Sequence, residues 1–150
     1  MAYEFSNKVI WITGASSGIG EALAYAFSAR GSRLILSSRR ADELERVRQA
    51  CVHPDRVKVI PMDLLDMGLF AVRTAEAIAV FGQIDMVVHN GGVSQRGMAA
   101  DRAAAQILRA VRRGKYEAYI GKMGPERMAL WVNRWFPGVL IRMAPGLVPK

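Results

Sequence analysis

The 150-residue chain has one cysteine, two histidines and few acidic residues in its last third. With Cys51 alone there is no internal disulfide, and with no Cys/His arrangement around it the thiol reads as buried and inert rather than nucleophilic. Metal chemistry is equally unsupported, because no set of histidines, cysteines and carboxylates stands at ligand spacing. No apolar run reaches the roughly 18 residues that a membrane span needs. The opening "MAYEFSNKVIWITGASSG" lacks the basic start, apolar run and small-residue cleavage site of a secretory signal, so the expected compartment is the cytoplasm. No repeat, linker or low-complexity stretch interrupts the first 92 residues.

The shortage of acids is regional. Through Gln95 there are ten Lys/Arg against ten Asp/Glu, whereas from Arg96 onward there are eleven against three. The net charge of +8 therefore belongs to the last third. From Met128 the apolar residues Met128, Trp131, Val132, Trp135 and Val139 recur at near-helical spacing, with Arg127 and Arg134 beside them. Such a stripe packs on the domain or a sister subunit; the alternative is a basic amphipathic segment, over 125–143, making peripheral contact with an anionic membrane. Pro137 breaks it into a short helix. Nucleic acid is not an expected partner, because the arginines are dispersed and carry no recognition motif.

What is abundant is apolar sequence: 51% of the residues are hydrophobic and 23% charged, enough for one domain with a core. Short β-rich runs alternate with helical patterns. Strands are expected over "KVIWIT" (8–13), "RLILSS" (33–38), "VKVIPMD" (57–63) and "DMVVHN" (85–90), with helices over 21–30, 41–51, 66–81 and 99–113. The alternation predicts an α/β fold, a Rossmann-like parallel sheet with helices on both faces. Residues 1–96 would form a dinucleotide-binding half and 97–150 a helix-strand-helix remnant packed on it as a single domain, giving four to five strands.

The candidate chemistry lies in "TGASSGIG", Thr13 to Gly20, between the first strand and its helix. Glycines there let the backbone turn sharply and approach a ligand, and the free N–H groups at the helix start receive phosphate. At this point the chain resembles the short-chain dehydrogenases/reductases, over roughly its first 95 residues. The resemblance implies that Gly14, Ser16, Ser17, Gly18, Ile19 and Gly20 line the pyrophosphate and its ribose. The second strand ends in "SSRR" (Ser37 to Arg40) without the acidic residue of NAD-preferring members. Ser38, Arg39 and Arg40 therefore point to NADP(H) over NAD(H), Arg39 standing where NADP-preferring members often carry arginine. A guanidinium binds a 2′-phosphate through charge-assisted contacts that a carboxylate would repel. Taken without the motif, both arginines read as solvated charges ahead of a helix.

By the same resemblance Asp63 holds the adenine amino group with the backbone of Leu64 nearby; a helix cap is its structural alternative. "HNGG" stands where the family has NNAG, so Asn90, Gly91 and Gly92 border the adenosine ribose and His89 takes a structural place. A general-base role for His89 would suit imidazole chemistry but lacks a carboxylate partner. Ser94 follows the fourth strand rather than the fifth and reads as a loop residue.

The family's reaction centre then fails to appear. Its Tyr-x-x-x-Lys pair needs i, i+4 spacing to share a helix face, yet Tyr119 and Lys122 are three apart, Tyr116 has Ile120 at the fourth position, and "YEAYIG" reads as a strand. No catalytic residue is assigned. "ADRAAAQILRAVRRGKYEAYIG" resembles instead a late helix and last strand of the family, which implies a central block of several tens of residues missing between about Arg96 and Asp101. The implied activity, hydride transfer between NADPH and a small carbonyl or alcohol substrate, is expected to be weak or absent. The helix at 99–113 is expected to cross over and place "YEAYIG" beside the fourth strand. Incomplete helix layers leave apolar surface, so self-association is expected.

Overall fold

Strand β1, Val9–Thr13, is buried at every position, so its alternate side chains serve two cores at once. The structure is a computed structural model that describes residues 4–90 and 99–113. In it β1 pairs in parallel with β2, Arg33–Ser37, on one side and with β4, Met86–Val88, on the other. Strand β3, Val57–Val59, joins β2, which gives the order β3-β2-β1-β4. The expected α/β sheet is present, with four strands among the described residues. β3 is shorter than its apolar run, although Ile60 and Met62 beyond it still donate backbone bonds to Leu36 and Ser38; the N–H that Pro61 lacks would face the open edge of the sheet.

The inward residues decide which helices lie on which face. Ile10 and Ile12 of β1, with Leu34 and Leu36 of β2, pack against Leu23 and Phe27 of α1 (Gly18–Ser28) and Leu44 and Val47 of α2 (Ala41–Ala50). Phe5 closes this core edge-on to Phe27, ring centres 5.2 Å apart. The opposite residues, Val9, Trp11 and Ile35, meet Ala77, Phe70 and Phe81 of α3 (Phe70–Phe81). The Trp11 indole N–H donates to Ser37 Oγ at 2.9 Å, so the one polar atom of that buried ring is satisfied.

The last described helix, α4 (Ala100–Arg112), does not take the expected place. Ala103, Ala104 and Leu108 are buried, and Ala104 and Leu108 join the α1 core. The alanines permit a close approach of the two helix backbones. Yet α3, which connects β3 to β4 across the sheet, lies on the other face. Parallel crossovers are right-handed in about 98% of cases. A right-handed path from β4 to a parallel strand at its free edge must therefore run on α3's face. Val87 of β4, in register with Trp11, points to that face and is 43% exposed. α4 is thus on the wrong face for the crossover that the sequence suggested. The strand expected over "YEAYIG" lies outside the described residues.

Candidate functional site

The corner between β1 and α1 is built by backbone contacts that exclude side chains at two glycines. At Gly14, φ is +65°, and a Cβ would stand 2.4 Å from the Asn90 carbonyl oxygen. At Gly20 it would stand 2.3 Å from the Gly14 carbonyl oxygen and 2.8 Å from Asn90 Nδ2. Gly18 has φ +60°, but a Cβ there would meet nothing within 4 Å. The corner is closed against protein at Gly14 and Gly20 and open at Gly18.

Asn90 locks this corner to the end of β4. Its Nδ2 donates to the Gly14 carbonyl at 3.3 Å, its backbone N–H donates to Thr13 Oγ1 at 3.2 Å, and Thr13 Oγ1 in turn donates to the Val88 carbonyl at 3.4 Å. β4 itself is pinned at its start by Asp85, whose Oδ2 accepts the Val9 N–H at 2.8 Å. That bond, with Gln83 and Lys8 alongside, holds the Asp85 carboxyl below the usual carboxylate range.

Two serines form the outer lip. Ser17 precedes α1 in extended conformation and makes no side-chain cap, which leaves its hydroxyl for other partners. Arg40, at the start of α2, donates through Nη2 to Ser16 Oγ at 3.2 Å and Ser17 Oγ at 3.1 Å. Ser38 Oγ accepts the Arg40 N–H at 3.2 Å and so shapes the turn that delivers this side chain. Hydroxyls, a guanidinium and the N-terminal end of a helix converge here, a combination suited to an anion.

Arg39 diverges from Arg40. It lines a separate cleft of about 360 Å³ with Pro61, Met62, Asp63, Asp66, Leu69 and Arg73. Asp63 is exposed there, and its Oδ1 accepts the Leu65 N–H at 3.0 Å, closing a turn rather than capping α3. Leu64 is half-buried against the α3 core, and Ile19 against the α1 core. The sequence-derived residues 14–20, 38–40, 63–64 and 90 thus gather along the C-terminal ends of β1, β2 and β4 and just beyond β3. Gly91, Gly92 and Ser94 lie outside the described residues, as does the 125–143 stripe. His89 is exposed and has no carboxylate partner among the described residues.

Sequence reasoning missed Arg46 and Glu21. Arg46 forms a two-point pair with Glu21, at 2.8 and 3.0 Å, bonds Glu43 at 2.9 Å, and reaches the Ser16 carbonyl at 3.4 Å. The Arg46 guanidinium lowers the Glu21 pKa. Tyr25, the one tyrosine among the described residues, donates to Glu21 at 2.6 Å. Burial and that carboxylate push its phenol up to about 12, which disfavours proton release. A groove between α1 and α4 is larger, about 590 Å³, but it stands apart from the glycine corner. No metal-ligating cluster occurs among the described residues.

A sequence profile of the short chain dehydrogenase family matches residues 8–114. The dehydrogenase/reductase SDR family member 7 of Homo sapiens is 46% identical over 104 residues, which cover 66% of this chain and 31% of that protein. Among solved structures, a short-chain dehydrogenase from Streptomyces avermitilis is 39% identical with a TM-score of 0.55, over 61% of this chain and 33% of that one. The 3-ketoacyl-(acyl-carrier-protein) reductase of Brucella melitensis, complexed with NADH, is 27% identical with a TM-score of 0.56, over 66% of this chain and 40% of that one. The chain spans about a third of the length of the curated relatives it matches. Because the profile match runs from β1 through α4 and takes in the whole glycine corner, the chain belongs to the short-chain dehydrogenase family.

Proposed function

We propose that this chain is the cofactor-binding part of an NADP(H)-dependent oxidoreductase acting on a small carbonyl or alcohol, and that as written it binds cofactor with weak or absent turnover. The observation that carries the reading is the corner itself: closed by backbone at Gly14 and Gly20, open at Gly18, and lipped by Ser16, Ser17 and Arg40. A pyrophosphate fits that opening, because the N–H groups at the start of α1 lack helical acceptors and face it. Ser16 and Ser17 would orient the phosphates. Arg40, already at the lip, and Arg39, in the cleft beside Asp63, would take a 2′-phosphate. Asp63 and the Leu64 backbone would meet the adenine, and Asn90, Gly91 and Gly92 the ribose side.

The nicotinamide, when bound, supplies or accepts the hydride. The proton needs a side chain of the protein, and the sequence holds no Tyr-x-x-x-Lys to move it. The missing-block reading gains support from α4, which sits against α1 instead of beside Val87, as a helix from a later point in a longer sheet would. Amplifying and sequencing the coding region across about codons 90 to 105 tests it; an uninterrupted reading from the natural gene rules out an artefactual join.

The cofactor assignment is tested by fluorescence titration of NADPH and NADH against the full chain and its Arg39→Asp variant. The expected result is saturable NADPH binding that weakens about tenfold in the variant, with NADH affected less. Absence of a saturable signal in the parent refutes the assignment.

A further inference from the structure

We infer that the Glu21–Arg46 pair is a positioning brace for the phosphate corner: Arg46 sets its affinity for a dinucleotide of either kind, whereas Arg40 sets preference for one carrying a 2′-phosphate. The inference rests on the nucleotide-binding reading above and extends it to residues that touch no ligand. Arg46 is on α2 and Glu21 on the first turn of α1, so their two-point pair joins the helix after β2 to the helix that opens at the corner. The same guanidinium reaches the carbonyl of Ser16, which is 6% exposed, while Arg40 holds the hydroxyl of that residue. Ser16 is therefore gripped at its backbone by one end of α2's polar face and at its side chain by the other. Glu43 takes the remaining Nε–H of Arg46 and aims the guanidinium at α1. Tyr25 bonds Glu21 from the following turn and fixes the carboxylate in line with its partner. The brace thus bears on the backbone of the loop, which any dinucleotide would contact, and not on the site of the 2′-phosphate.

The test compares Arg46→Gln, Arg46→Lys and Arg40→Gln in the 150-residue chain by NADPH and NADH titration and by hydrogen exchange of amides 14–18 in the ligand-free protein. Arg46→Gln is expected to weaken both cofactors by the same factor, about fivefold, the scale of one well-formed exposed ion pair, and to speed exchange across 14–18. Arg46→Lys keeps the charge but not the fork, so it is expected to recover part of each effect. Arg40→Gln is expected to weaken NADPH several times more than NADH, because it removes the 2′-phosphate partner in addition to the bonds to Ser16 and Ser17 that serve both cofactors. Unchanged exchange at 14–18 in a folded Arg46→Gln protein overturns the brace, as does a loss confined to NADPH. If the parent binds neither cofactor while Arg46→Gln still speeds exchange, the brace stands and the nucleotide assignment falls. Should Arg46→Gln fail to fold, the milder Arg46→Lys carries the test through the same two readouts.

Discussion

Gly14 and Gly18 share a backbone conformation, φ +65° and +60°, and differ in what surrounds them. Replacing either with alanine puts a Cβ on a left-handed residue, which costs about 1–2 kcal/mol. That term cancels when the two variants are compared. What remains is the contact made by the new methyl: none within 4 Å at Gly18, but 2.4 Å to the Asn90 carbonyl oxygen at Gly14. Overpacking of a tight site costs about 1–3 kcal/mol. Here the upper end applies, because the obstructing atom is backbone, and moving it strains Asn90's bonds to Thr13 and Gly14. Gly14→Ala should therefore be about 3 kcal/mol less stable than Gly18→Ala. At 2–4 °C per kcal/mol for a chain of this size, the gap is roughly 6–12 °C in Tm. Thermal melts of the two variants beside the parent, followed by circular dichroism, measure it. The methyl of Gly18→Ala stands in the open mouth of the corner, so that variant should lose NADPH affinity while keeping most of its fold. Equal melting temperatures for the two variants would refute the contact geometry; undiminished NADPH binding by Gly18→Ala would refute the placement of the phosphates.

Three further outcomes follow from packing and charge. Leu108→Ala should cost about 2–5 kcal/mol, because that side chain is 4% exposed in the α1 core; Arg102→Ala, on the exposed side of α4, should change stability by less than about 0.5 kcal/mol, and urea titration separates the two. Ser37→Ala removes the acceptor of the Trp11 indole and should cost about 1–3 kcal/mol, visible as a lower midpoint and a shifted tryptophan fluorescence maximum. The Asp85 carboxyl is held below its ordinary value of 3.8, chiefly by the Val9 N–H. A carboxylate depressed in the folded state contributes fully above that ordinary value and loses its contribution as pH falls below it. Asp85→Asn should therefore lower Tm near neutral pH and converge on the parent below about pH 4; a constant gap across that range would contradict the assignment.

The β-α alternation was legible because each strand and helix announces itself locally, in β-branched runs such as "VIWIT" and in apolar spacing such as Leu44 to Val47. The glycine corner was legible for the same reason: the turn, the strand and the helix are contiguous. Boundaries were less so. The helix expected from Asp66 starts at Phe70, because Met67–Leu69 first makes a tighter turn, following a bend held by the Asp63 carboxylate. Arg46 was illegible because its partners, Glu21 and Ser16, are 25 and 30 residues away and meet it only when α2 packs beside α1. The face taken by α4 was illegible too. Its pattern shows that Ala104 and Leu108 are inward, but an amphipathic helix does not specify which side of a sheet receives it.

The central claim is a cofactor corner without a proton-moving pair. Its most direct test uses one preparation of the full chain, titrated with NADPH and then supplied with a panel of small aldehydes and ketones while nicotinamide absorbance is followed. Saturable binding with no carbonyl-dependent loss of absorbance is the predicted result. Turnover at a rate typical of enzymes, about 1 per second or faster, would contradict it.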